Sequence, residues 1–313
     1  MDTPVAVPRT LLEAVRYFAD PDASLAFMVA LRWPNGVACP TCGRTDVRFI
    51  STRRMWECKD KHPRKQFSIK VGTIFEDSPL GMDKWLPVVW LVANCKNGIS
   101  SYEVARDLGV TQKTAWFMLQ RVRVAMETGS YQKLSGEIEA DETFIGGLAK
   151  NMHKKVRAAK IKGRGPQDKT AVMGVLQRDG EVRAFVVPDR KKPTVQAKIR
   201  ENVTPGSEVF TDALRSYEGL TPEYAHEAVD HAECYVRGNV HTNGLENFWS
   251  LLKRTLGGTY VAVAPFHLHR YVNEQVFRYN ARKGTDGGRF LAVAANTIGR
   301  RLTYKDLIAA NEE

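Results

Sequence analysis

Three acids stand where a carboxylate can do chemistry: Asp141 in EADETFIGG, Asp212 in VFTDALRSY and Glu246 in HTNGLENFWSLLKR. Asp141 sits in an alternating, strand-like stretch, Asp212 at the polar end of an apolar one, and Glu246 on a helical pattern. At about 100° per residue, Leu245, Phe248, Trp249, Leu252 and Leu256 share one helix face. Glu246 and Lys253 fall within about 20° of each other beside that stripe. Three hard oxygen ligands can hold two Mg²⁺ (or Mn²⁺) ions with positions left for water and phosphate. Two such metals clamp the attacking and leaving oxygens of an in-line phosphoryl displacement. Lys253 would meet a DNA phosphate or base beside the scissile bond. Asn243 lies three residues before Glu246, so either could be the third ligand. Glu246 is favoured because a charged carboxylate neutralises the cation better than an amide, and Asn243 would then reach metal through water or cap the helix. Glu139 shares strand parity with Asp141 and could face the same cleft, while Glu142 points the other way. His231 and His241 could line the same cleft, but ordinary hydrogen bonding is favoured for each.

These acids can meet only if the elements carrying them converge. From residue 136 the pattern reads as three hairpin-linked strands, with a turn at Asp179-Gly180, then a helix, a strand ending at Asp212, a short strand HEAVDH and the 241–256 helix. That order predicts an RNase H-like mixed five-stranded sheet flanked by helices. Its first and fourth strands are neighbours, so Asp141 and Asp212 would converge, and the helix would bring Glu246 across one face. FHLHRYVNEQVFRYN follows as an amphipathic helix, expected to pack on the sheet with Arg270 and Arg278 turned toward DNA. Between the first two strands, residues 150–169 carry eight Lys or Arg and one acid. They read as a loop closing on phosphates through Lys154, Lys155, Arg157, Lys160, Lys162 and Arg164, against the plainer reading of a solvated loop.

Upstream, CPTCGRTDVRFISTRRMWECKDKHP pairs Cys39 with Cys42 and Cys58 with His62 around a hairpin-like stretch, a spacing suited to one structural Zn²⁺. Gly43 would permit the knuckle's tight turn. Two short helices on either side of Asp20-Pro21-Asp22 precede the ribbon and are expected to pack on it. Residues 82–126 then show three helical patterns. The second opens with a Ser100/Glu103 capping box and ends at Gly109. The third starts at Thr111 and presents Gln112, Lys113 and Thr114. This is either a helix-turn-helix with those residues at the DNA, or a structural three-helix bundle; the ribbon and the charge favour DNA.

The chain has 313 residues, 43% of them hydrophobic, and a net charge of +11. It is long enough for several domains, and the charge favours an anionic polymer as partner. Five cysteines argue against a disulfide framework. No run is long enough to span a bilayer and no signal pattern opens the chain, so no membrane partner is expected and the location reads as cytoplasmic.

The pieces CPTCG, RKQFSIKVGTIFEDSPLGMDKW, ISSYEVARDLGVTQKTAW, EADETFIGG, VFTDALRSY, VDH, HTNGLENFWSLLKR and FRYNAR occur in order over nearly the whole chain. As a set they resemble bacterial insertion-sequence transposases of the DDE class, in the group with an N-terminal zinc ribbon. The resemblance implies Mg²⁺-dependent cleavage and strand transfer at insertion-sequence ends, without a covalent protein–DNA intermediate. It implies double-stranded DNA partners (terminal inverted repeats and target), a homodimer or higher multimer on DNA, and a bacterial, nucleoid-associated location. It also matches the seven-residue step from Glu246 to Lys253, making Asp141, Asp212, Glu246 and Lys253 the expected catalytic set, with Arg254 beside them on DNA. The expected organisation is a multi-domain α+β and α/β chain. N-terminal helices and ribbon occupy 1–78, helix-turn-helix 79–130, catalytic core 131–282 and helical tail 283–313. An RNase H-like nuclease or resolvase that cuts without joining, or a zinc-ribbon regulator with an inactive core, are the alternative functions.

Overall fold

A computed structural model describes residues 7–127, 132–147, 152–161, 168–212, 214–229 and 240–308. They form two compact units: the residues up to 127 with those from 283 onward, and the stretch between.

In the first unit, Thr10 and Asp20 cap helices α1 (Leu11–Phe18) and α2 (Pro21–Arg32), each side chain accepting from a first-turn amide. The ribbon is an antiparallel sheet of β1 (Val47–Ile50), β2 (Met55–Cys58) and β3 (Gln66–Phe67). The two helices do not use the ribbon as their main support. They pack on α3 (Met82–Asn94), because the ribbon offers few large apolar groups. Its Trp56 and Phe67 meet Trp33, just past α2, at 5.6 and 6.1 Å, and Arg54 pairs with Asp22 of α2. Both halves of the Ser100/Glu103 capping box are made at the start of α4 (Ser101–Leu108), and Gly109 ends it at φ 63°. Thr111 accepts from the Thr114 amide to open α5 (Gln112–Ala125). Beyond its first turn α5 is enclosed: Met118, Leu119, Gln120, Arg121, Val122 and Arg123 are all buried.

The second unit runs β4 (Glu137–Ile145), α6 (Lys154–Lys160), β5 (Thr170–Gln177), β6 (Val182–Val187), α7 (Lys192–Asn202), β7 (Glu208–Asp212), β8 (Ala225–Val229), α8 (Asn243–Thr255) and α9 (Leu268–Asn280). The sheet order is β6-β5-β4-β7-β8. β4, β5 and β6 pair antiparallel, while β7 lies parallel to β4 and β8 parallel to β7. This is the RNase H-like arrangement. β5 is buried along both faces, which is why TAVMGVLQ hardly alternates. One face packs Ile138, Ala140, Met173 and Val175 against Val195 and Ile199 of α7. The other packs Val172, Leu176, Val182 and Ala184 against Leu245, Phe248 and Leu252 of α8 and Val272 of α9. Within the basic 150–169 stretch, Lys154–Lys160 is helical rather than loop. Arg278 of α9 also departs from expectation: it is buried and ion-paired with Glu274 one turn earlier, so it is not turned toward DNA.

The chain then returns to the first unit. In α10 (Asp286–Ala295), Phe290 is fully buried with its ring 5.4, 5.6 and 5.3 Å from Phe18, Phe27 and Trp90. From α11 (Tyr304–Ile308), Tyr304 meets Phe117 edge-on at 5.7 Å and lies under Lys113. Among the described residues, no helix is long and apolar enough to cross a membrane.

Candidate active site and zinc ribbon

The ribbon brings its four expected donors together. The ligand atoms of Cys39, Cys42, Cys58 and His62 lie within 4.8 Å of one another. Cys39 Sγ is 3.5 Å from His62 Nε2, and Cys42 Sγ is 3.6 Å from Cys58 Sγ. Tetrahedral ligands about 2.3 Å from a zinc ion stand roughly 3.8 Å apart, so this donor set fits one Zn²⁺. Gly43, at φ 74°, turns its amide back to the Cys39 carbonyl at 2.8 Å. His62 Nδ1 lies 2.6 Å from the Pro63 carbonyl, which leaves Nε2 as the ligand. Burial raises the Cys39 thiol, but amides of Cys42 and Thr41 and the neighbouring thiols bring it down to about 7.

In the second unit the parallel register pairs Glu137 with Glu208 and Glu139 with Phe210. Carried on two residues, it sets Asp141 level with Asp212 on the adjoining strand. Asp141 faces α8, where Trp249 Nε1 donates to its Oδ2 at 2.9 Å. Its carboxyl is raised to about 6, chiefly by burial and further by the charges of Asp212 and Glu246; the Trp249 bond and the Glu142 amide oppose that rise. Asp212 Oδ1 accepts from the Leu214 amide. Glu142 points to the opposite face, where it accepts from the Tyr217 hydroxyl.

Glu139 serves a different end from the cleft-lining role open to it in the sequence. It is buried, and its Oε2 accepts from the Leu245 amide at 3.0 Å. Leu245 is the third residue of α8, and Thr242 makes no side-chain cap there, so the cap comes from β4 across the sheet face. Asn243 is exposed as the first residue of the helix and is not that cap. Arg178 holds Glu139 at 3.1 Å, donates to the His241 carbonyl at 3.0 Å and lies over the Phe210 ring at 4.4 Å. His241 Nδ1 is 3.3 Å from Glu139, the hydrogen-bonding role expected of it; His231 lies outside the described residues. So α8 is fastened to β4 at Glu139–Leu245 and at Asp141–Trp249. Two strand residues span about 6.6 Å and one helical turn of four residues about 6 Å, so the two attachments match in spacing. Two glycines permit the approach. A Cβ on Gly174, which pairs with Asp141, would stand 2.8 Å from the Trp249 ring. A Cβ on Gly244 would stand 2.3 Å from Leu176 and 2.8 Å from Glu139.

Arg178 and the polar role of Trp249 carry no spacing signal. Arg178 reads as one more charge before a turn, and Trp249 as one more member of an apolar stripe.

Glu246 and Lys253 are exposed on α8, as is Arg254. Lys253 and Lys169 line an open cleft of about 950 Å³ with Ile145, Leu256 and Val261. Lys154, Lys155 and Arg157 are exposed on α6; Lys162 and Arg164 lie outside the described residues, as does the side chain of Lys160. In the first unit, Lys113 is exposed, Gln112 donates to Ser101 at 2.8 Å, and Thr114 shares a hydroxyl contact with Thr111 at 2.9 Å.

A zinc ribbon, a helical bundle and an RNase H-like sheet edged by acids define the architecture of an insertion-element transposase. Residues 133–280 match the ISXO2-like transposase domain and residues 20–62 the transposase zinc-ribbon domain, and the chain belongs to that transposase family. It is 28% identical over 262 residues to an uncharacterized protein in the transposable element ISH50 of Halobacterium salinarum, covering 77% of this chain and 85% of the relative. It is 34% identical over 101 residues to an uncharacterized transposase-like protein of Haemophilus influenzae, covering 32% of this chain and 81% of the relative.

Proposed function

We propose that the second unit is a DDE catalytic core that cleaves DNA at the ends of an insertion element and joins the freed 3′-OH to target DNA. Asp141, Asp212 and Glu246 are its metal ligands. One observation carries this reading: the strand register sets Asp141 level with Asp212, and the helix that carries Glu246 is bonded to Asp141 through Trp249. That arrangement supports three acids from distant segments serving one centre. Clustered carboxylate oxygens are the donors that Mg²⁺ or Mn²⁺ takes, and a pair of these ions would supply Lewis-acid stabilisation of the attacking and leaving oxygens. The chain's residues do the positioning. Trp249 fixes one oxygen of Asp141, Glu139 fixes the start of α8, and Glu246 extends from the first turn of that helix. Glu246 is preferred to Asn243 for its charge. Lys253 and Lys169 in the cleft, with exposed Lys154, Lys155, Arg157 and Arg254, neutralise DNA phosphates.

The first unit serves end recognition in this reading. Gln112, Lys113 and Thr114 occupy the accessible first turn of α5, the part of a recognition helix that meets base edges. Pairing two element ends requires a dimer or larger assembly.

The test is cleavage and strand transfer on labelled duplexes carrying the element's terminal sequence, with and without Mg²⁺. Asp212→Asn is expected to bind as the wild type does and to lose cleavage by at least about a hundredfold, the scale of removing one charge-stabilising group. Cleavage without joining would make the protein a nuclease. Undiminished cleavage by Asp212→Asn would remove the acids from the mechanism.

A further inference from the structure

Helix α8 does not end on a simple cap. After Thr255 the chain widens into a π-turn over Leu256–Tyr260 and reverses at Val261, with φ 57° and ψ −57°. The Ala262 amide donates to the Tyr260 carbonyl at 2.6 Å, so Val261 is the centre of a γ-turn of the strained hand. A β-branched residue is poorly suited to that conformation. Its surroundings hold it there. The Val261 amide donates to the Leu256 carbonyl at 2.8 Å, the Tyr260 ring packs on Tyr271 at 4.8 Å, and the Tyr260 hydroxyl bonds Glu274.

The Val261 side chain itself adds little apolar burial to the fold. Val261 is 77% exposed, more than any other large apolar side chain among the described residues. Glycine would relieve the turn, and the chain does place glycine at 257 and 258. A strained backbone that presents an apolar tip to solvent points to a ligand that the tip meets. Its position says which. Val261 stands on the cleft lined by Lys169 and Lys253, so the rim suits phosphates and the tip suits bases. Ile145, also in that lining, is four residues beyond Asp141 on β4, roughly 13 Å along the strand. At about 3.4 Å per base pair, that is some four steps from the proposed scissile phosphate.

Resting on the transposase reading, we propose that Val261 is an apolar wedge that parts the base stack of the element's end close to the cut. Arginine or lysine at the phosphates with an aliphatic side chain between base steps is a recurrent way of opening a duplex. The experiment uses the full-length protein and duplexes of the element's terminal sequence with 2-aminopurine placed singly near the cleavage site. Wild-type binding is expected to raise fluorescence at one position. Val261→Gly, which relieves the turn, and Val261→Asn, which keeps it with a polar tip, should bind but give no rise, and should cut about tenfold more slowly. Unpairing the same position by a mismatch should restore their cleavage. Variants that brighten and cut the paired duplex like the wild type would overturn the wedge. If the wild type itself does not cut element ends, or Asp212→Asn cuts as well, the transposase reading fails instead.

Discussion

Glu142 shows what burial costs a single residue beside the candidate site. Burial raises its carboxyl to about 7 from 4.5, the charges of Asp212 and Asp141 add to the rise, and the Tyr217 hydroxyl opposes it. A carboxyl raised in the folded state contributes stability that is full below about pH 4.5 and is lost as the pH climbs through 7. Glu142→Gln removes that titration and keeps an oxygen to accept from Tyr217. Its thermal midpoint in metal-free buffer should therefore exceed the wild type's at pH 8 and not at pH 4.5. A midpoint gap unchanged between the two pH values would show that Glu142 does not titrate as described. At this scale the sequence was informative about direction: strand parity alone separates Glu142 from Glu139 and Asp141. It was silent on partners. Nothing in the spacing says that the Glu139 carboxylate ends on a helix amide or that Trp249 donates to Asp141, because both depend on a cross-face approach set by two glycines.

Between elements, the attachment of α8 to β4 decides whether Glu246 is in place. Gly174→Ala puts a methyl 2.8 Å from the Trp249 ring, which must move off Asp141. The variant should keep its ribbon zinc, measured by metal analysis, and lose most DNA cleavage; full cleavage would mean that Trp249 does not set Asp141. Glu139→Ala goes further, since it leaves the half-buried Arg178 with only the more exposed Glu137 as a carboxylate partner and uncaps α8. A loss of about 1–3 kcal/mol, from the lost helix cap and the weakened ion pair, is expected in denaturant unfolding of the second unit. Element order was legible from periodicity, and the strands, the long helices and the Ser100/Glu103 box fall where the pattern places them. What periodicity could not give is which apolar stripe meets which. α1 and α2 pack mainly on α3 and only at their margin on the ribbon, and Arg278 turns inward because Glu274 one turn earlier is buried with it.

At the scale of the molecule, the first unit is assembled from both ends of the described chain, with the second inserted between residues 127 and 283. Phe290 is the stitch. Phe290→Ala should cost the first unit about 3–5 kcal/mol, and two-step thermal unfolding should show its transition lowered with that of the second unit unmoved. A single lowered transition for both would mean that the units do not unfold independently. A sequence read left to right suggests separate modules strung in series, and the return of the tail is invisible because α10 reads as an ordinary amphipathic helix. That return also sets an order in time. On the ribosome, Phe18, Phe27 and Trp90 must wait for some two hundred further residues before the ring that completes their cluster is made. Synthesis broken off anywhere inside the second unit therefore leaves a ribbon-bearing fragment with an unfinished core.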